Sequence, residues 1–173
     1  MIKVDFKDLK RVELKEEDID QYIKYVNVIK SKMPNPDFIM DLTKDYIIDL
    51  MNKNAHIYMY IYNGVAIASA TIIPSDENAI RMAGLDLDYK EVIEYGPQFV
   101  HPDYRGNNIQ FNMMKDIRYA AKALGFKYAI GVVDEDNKYS NDNAKKVGIF
   151  TKKIKIDGKV QNIYFNNLNY LEE

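Results

Sequence analysis

Val100-His101-Pro102-Asp103-Tyr104-Arg105-Gly106-Asn107-Asn108-Ile109-Gln110 reads as the end of a strand, a tight polar loop and the start of a helix. Upstream, Val92–Val100 is rich in β-branched and aromatic residues and predicts a strand. Gly96-Pro97 lies inside it. Proline has no N–H for the ladder, so a bulge or an edge position is expected there. Downstream, Ile109, Met113, Ile117, Ala120 or Ala121, and Leu124 recur at helical spacing. They predict a helix over Asn107–Leu124, with Lys115, Arg118 and Lys122 turned outward. Gly125 is its expected C-terminal cap. Tyr128–Val133 follows as a buried strand, so the helix joins two strands and implies a parallel crossover.

The loop itself has chemical content. A helix start presents backbone N–H groups without intrahelical acceptors and the positive end of the peptide dipoles, which together suit a phosphate or diphosphate. Gly106 lets the backbone approach a ligand closely. Asn107 and Asn108 are among the few non-glycine residues that tolerate positive φ, and Arg105 adds a fixed positive charge. The same features also suit a plain asparagine-capped helix that binds nothing. The stretch is neither a Gly-Lys-Ser/Thr phosphate loop nor the dinucleotide G-x-G-x-x-G.

The remaining elements build an α/β chain. Residues 10–14 predict a short strand. Glu16–Lys32 predicts a helix with Ile19, Tyr22, Ile23, Val26 and Ile29 on one side, broken by Met33-Pro34-Asn35-Pro36. A second helix is expected over Asp37–Met51. Asn63-Gly64 between His56–Tyr62 and Val65–Ile73 predicts a β-hairpin. Pro74–Asn78 reads as a loop, and the acidic residues Asp76, Glu77, Asp86, Asp88 and Glu91 fall between strands. A short helix is expected up to Val147, capped by Gly148. Ile149–Ile156 and Val160–Leu168 close the chain as a hairpin around Asp157-Gly158. The expectation is a single domain over residues 1–173.

Composition narrows the function classes. With 24 basic and 26 acidic residues and a net charge of −2, no polybasic arm points to nucleic acid or a membrane surface. The absence of cysteine removes thiol nucleophiles, disulfides and thiolate metal sites. The apolar runs fall short of a membrane span, and Met1–Lys10 lacks a signal-peptide core, so a soluble cytoplasmic protein is expected. His56 and His101 are the only histidines and show no metal-ligand spacing, so no metal is expected. His101 reads as a loop residue rather than a catalyst. No serine sits in a G-x-S-x-G elbow.

The stretch from Val100 to Gln110 resembles the acyl-CoA-binding loop of the GCN5-related N-acetyltransferase (GNAT) superfamily, roughly Val-x-Pro-x-x-Arg-Gly-x-Gly-Ile-Gly/Ala. Asn137-Lys138-Tyr139-Ser140, followed by Gly148-Ile149-Phe150, resembles that family's later Asn-x-x-Ala/Ser and Gly-Phe segment. The resemblance implies a mixed central sheet of six to seven strands flanked by about four helices. It implies transfer of an acetyl group from acetyl-CoA to an amine of a small molecule or peptide, by a monomer or homodimer. It places the pantetheine arm along Phe99 and Val100, and the pyrophosphate on amides of Arg105, Gly106, Asn107, Asn108, Ile109 and Gln110. Asn137 and Ser140 are implied on the other side of the cofactor. The sequence departs from the family pattern at Asn108 and Gln110, and at Ala144, where the family often has the tyrosine that protonates the leaving thiolate.

For the chemistry, Glu94 is the candidate base, on the strand that leads to Val100. Tyr139 is the first candidate acid and Tyr95 the second. The backbone N–H of Val100 is the expected oxyanion donor. Two other readings stay open: a CoA-binding module of the same fold without turnover, and an unrelated α/β nucleotide-binding domain.

Overall fold

Segments of two-residue and 3.6-residue periodicity alternate along the chain, and a computed structural model, describing residues 2–33 and 35–171, resolves them into seven strands and five helices. In chain order these are β1 (Lys10–Glu13), α1 (Ile19–Ser31), α2 (Lys44–Asn52), β2 (His56–Tyr62), β3 (Val65–Pro74), α3 (Glu77–Ala83), β4 (Val92–Val100), α4 (Ile109–Ala123), β5 (Tyr128–Asp134), α5 (Lys138–Val147), β6 (Ile149–Ile156) and β7 (Lys159–Asn167). The strands form one sheet in the order β1-β2-β3-β4-β5-β7-β6. It is mixed: β4 and β5 run parallel, with Val92 opposite Tyr128 and Tyr95 opposite Gly131, while β5–β7 and β6–β7 are antiparallel.

All seven expected strands are present. Both hairpin turns carry positive φ at their two central residues, Asn63 (47°) with Gly64 (79°) and Asp157 (48°) with Gly158 (83°). That is the turn whose twist matches the flanking strands. β4 has a neighbour on each side in the sheet order, but its pairing with β5 runs only over Val92–Tyr95, so Gly96-Pro97 lie just past it.

The helices need correction. The second helix begins at Lys44, not Asp37. Pro36–Phe38 makes only a 3-10 turn and Ile39 returns to extended backbone. Thr43 then starts α2 by accepting from the Tyr46 N–H at 3.2 Å. Pro34, expected to help break α1, lies outside the described residues. The expected loop after Pro74 contains α3, whose Asp76 accepts from the Ala79 N–H at 2.8 Å and whose end turns at Gly84 (φ 68°). Helix α4 begins at Ile109. Its buried stripe is Ile109, Met113, Met114, Ile117, Ala120 and Ala121, and Leu124 is exposed beyond its end. Arg118 and Lys122 are half-buried rather than turned outward, and Lys122 donates to the Leu171 carbonyl at 2.8 Å.

The chain divides into two compact units, Met1–Thr71 with Pro97–Asn112, and Ile72–Gly96 with Met113–Glu173. In the first, Ile19, Tyr22, Val26 and Ile29 of α1 pack with Leu42, Ile47, Ile57 and Phe99. The Tyr22 hydroxyl meets Ser69 Oγ at 3.2 Å, and burial pushes its phenol up to about 12. In the second, Ala79, Ile80 and Ala83 of α3 pack on Val92, Ile130 and Ile163. No described helix is long and apolar enough to cross a membrane.

Candidate active site

In the first unit, β4 ends at Val100 and the chain turns sharply into α4. The His101 N–H donates to the Ile67 carbonyl (2.8 Å) and its Nδ1 accepts from the Asp103 N–H (3.3 Å). Its ring lies edge-on to Tyr104, and burial lowers its pKa. Gly106 (φ 80°) and Asn108 (φ 55°) adopt the left-handed backbone. Asn108 stands where the family pattern has glycine, and it adopts the conformation that such a glycine would allow. The first intrahelical bond of α4 runs from the Asn112 N–H to the Asn108 carbonyl (3.0 Å).

Several loop side chains have structural duties. Asn107 Nδ2 donates to the carbonyls of Ile2 (2.7 Å) and Tyr104 (2.9 Å), tying the N-terminal segment to the loop. Phe99 and Ile109 are core residues at 4% and 2% exposure. All three can offer a cofactor only their main chain. The Arg105 N–H is already engaged by the Pro102 carbonyl (3.2 Å), while Gly106 and Asn108 are exposed. The loop also borders an open cleft of about 490 Å³ lined by Lys3, Phe6, Tyr62, Asn108 and Asn112.

In the second unit, Glu94 lies on β4 two residues after Val92, so the two share a sheet face. Its carboxylate accepts from Ser75 Oγ at 3.2 Å. Burial raises its pKa above the usual 4.5, the Ser75 hydrogen bond pulls it back, and the charge of Asp76 adds to the rise. A half-buried carboxyl shifted upward is a stronger proton acceptor than an exposed one. Of the acidic residues between β3 and β4, Asp76 and Asp88 cap turns, and Glu91 pairs with Lys127.

Tyr95 points to the opposite face. It stands across from Gly131, which is itself across from Tyr164. A Cβ at Gly131 would sit 3.4 Å from the Tyr95 ring and 3.9 Å from Tyr164 Cβ. The Tyr164 hydroxyl donates to Asn141 Oδ1 of α5 at 2.8 Å. Asn141 Oδ1 also accepts from Asn162 Nδ2 (2.8 Å), while Asn141 Nδ2 donates to the carbonyls of Asp134 (2.8 Å), Glu135 (3.3 Å) and Asn137 (2.9 Å). One buried amide thus fixes the turn that presents Asn137. Asn137 caps α5 by accepting from the Ser140 N–H at 3.3 Å. Tyr139 is 83% exposed at the second position of α5, and Ala144 is buried at 2%. The sequence reading missed Ser75 and Asn141. A capping pattern at Ser75-Asp76 could have signalled α3, but Asn141 sits in a strongly polar helix and looks like a surface residue.

A sequence model of the Acetyltransferase (GNAT) family matches residues 19–149. The chain belongs to that family. Comparison with curated proteins finds no match. Among solved structures, it is similar to a putative acetyltransferase of Acinetobacter baylyi (18% identity, 93% of each chain covered, TM-score 0.72). It is also similar to yncA, a putative acetyltransferase of Salmonella typhimurium solved with its cofactor acetyl-CoA (12% identity, 96% and 97% covered, TM-score 0.69). A third is a spermidine N-acetyltransferase chimera from Vibrio cholerae and a second enzyme (10% identity, 94% and 96% covered, TM-score 0.66). At these identities the likeness is one of fold.

Proposed function

We propose that residues 1–173 act as one domain that transfers an acetyl group from acetyl-CoA to an amine of a small molecule or peptide, by direct attack in a ternary complex. The observation that carries this reading is the turn after β4, where Gly106 and Asn108 take positive φ just before the start of α4. Amides of Gly106 to Gln110 hold the diphosphate, with the Arg105 guanidinium beside it. The main chain of Phe99 and Val100 pairs with the pantetheine amides as an added strand would. Asn137 Nδ2 and Ser140 contact the cofactor from α5. A relative of the same fold was solved with acetyl-CoA, which supports the choice of cofactor.

Glu94 takes a proton from the incoming ammonium, freeing the nitrogen lone pair to attack the thioester carbon. The Val100 N–H meets the developing oxyanion, a contact worth about 3 kcal/mol. Collapse of the intermediate breaks the carbon–sulfur bond and expels the CoA thiolate, with Tyr139 the donor that the sequence first suggests. Ala144, where the family often has an acid, favours a second reading, a CoA-binding module without turnover.

Thiol release from acetyl-CoA with spermidine, a lysine-containing peptide and an aminoglycoside separates the two. Release that depends on the amine supports transfer. Tight acetyl-CoA binding with no amine-dependent thiol supports the module.

A further inference from the structure

β6 stands at one end of the strand order, so one of its edges has no hydrogen-bonding neighbour among the described residues. An extended polypeptide matches such an edge, because it repeats N–H and C=O groups at the strand's own spacing. β1, at the other end of the order, has four residues and carries both signs of charge, at Lys10, Arg11 and Glu13. β6 has eight residues and only positive charge.

The pairing of β6 with β7 shifts register between Phe150 and Lys152 and is regular over residues 152–156. Along that regular stretch the two faces differ. Lys153 and Lys155 are exposed on one, while Lys152, Ile154 and Ile156 are half-buried on the other, where Ile154 packs with the α3 cluster. Lys159, across the hairpin turn, is exposed. Lys153 pairs with Glu135 at 2.7 Å, whereas Lys155 and Lys159 make no ion pair among the described residues. Between residues 138 and 160 the chain has seven lysines and two aspartates, although its net charge is −2. Apolar surface adjoins the edge as well: Ile149 and Phe150, at the start of β6, are 73% and 46% exposed.

Lysines on an edge strand oppose its pairing with another copy of itself. Antiparallel pairing of β6 with a second copy, about a two-fold axis at Lys153 or at Ile154, sets Lys153 against Lys153 or against Lys155. Like charges directly opposite destabilise a sheet, and the same lysines attract a strand of opposite charge. We propose that the free edge of β6 docks an extended acidic segment of a partner protein, in which acidic residues alternate with β-branched aliphatic ones. The acids lie beside Lys153 and Lys155, the aliphatic residues continue the Ile154 and Ile156 face, and main-chain hydrogen bonds add the segment to the sheet as a further strand. The inference does not depend on acetyl transfer.

The test uses the full chain and a fluorescently labelled peptide, Glu-Val-Glu-Val-Glu-Val-Glu with blocked ends. Anisotropy measures its binding and hydrogen exchange locates it. Saturable binding is expected, with exchange slowed in β6. Affinity should fall at least about tenfold when salt rises from about 0.05 to 0.5 M. It should also fall at least about tenfold in the double variant Lys155→Glu, Lys159→Glu, whose melting temperature should match the wild type because both side chains are exposed. The same peptide N-methylated at every residue keeps its charge and loses its N–H groups, and it should not bind. Equal binding of the N-methylated peptide, or tighter binding of a single-stranded oligonucleotide of equal charge, would show a plain electrostatic surface and overturn the proposal. Failure of the Glu-Val peptide to bind overturns it too. So does a chain that is dimeric without peptide and protects the β6 amides with its own second copy.

Discussion

Replacing Asn141 with alanine removes the acceptor of two buried donors and the donor of three carbonyls in one step. Tyr164 and Asn162 are 2% and 9% exposed. Each now directs a hydrogen at Asn141 Oδ1 over 2.8 Å. An orphaned buried donor costs about 1–3 kcal/mol, while the freed carbonyls of Asp134, Glu135 and Asn137 sit at a turn where water can replace the amide. The expected loss is about 3–4 kcal/mol, or about 10 °C in melting temperature for a chain this long. Urea unfolding with an unchanged m-value measures it. Because the same amide fixes the Asn137 turn, acetyl-CoA affinity should weaken in folded variant protein. Asn141→Asp separates the two halves of the network. It keeps the acceptor for Tyr164 and Asn162 but sets a carboxylate against three carbonyl oxygens. Its folded pKa is therefore raised, and the variant should regain stability as pH falls. A loss below about 1 kcal/mol for Asn141→Ala would show that the network does not organise this end of the sheet.

Glu94→Gln should lower kcat about 100-fold or more at neutral pH. It should also raise stability there: a carboxyl whose folded pKa is raised is most stabilising below its ordinary 4.5 and loses that contribution as pH rises through the folded value. Wild type should therefore lose stability across that window while the glutamine variant does not, by denaturant titration at several pH values. Gly148→Ala should destabilise by about 1–3 kcal/mol, because its Cβ would meet Asn166 Nδ2 at 2.6 Å and the Phe165 carbonyl at 3.1 Å. Thermal melting checks it. Asn107→Ala should free the N-terminal segment to proteolysis while leaving CoA affinity within about threefold, since its side chain holds Ile2 and Tyr104.

What was legible in the sequence depended on how local the cause was. Asn63-Gly64 and Asp157-Gly158 declare their turns because few residues accept positive φ, and the strands follow by alternation. The loop from Val100 to Gln110 was legible for the same reason, with Asn108 filling a glycine position by a tolerated conformation. Helix α3 was not, because seven residues hold too few turns for a periodic stripe, and its acidic flanks resemble a solvated loop. The start of α2 was misplaced because Phe38 and Leu42 continue the helical spacing. The capping hydroxyl of Thr43, not the spacing, sets the boundary. The place of Glu94 on β4 was readable from the strand pattern, whereas its Ser75 partner and the Asn141 network appear only once distant segments meet. Tyr139 and Tyr95 look alike as letters. Burial separates them, and burial of a single phenol is set by the sheet row and by Gly131 opposite it.

The central claim is that the turn after Val100 presents main-chain donors to the diphosphate of CoA. A structure of the protein with acetyl-CoA tests it most directly. The account predicts diphosphate oxygens at about 3 Å from amide nitrogens between Gly106 and Gln110. CoA bound elsewhere, with those amides turned to solvent, would contradict it.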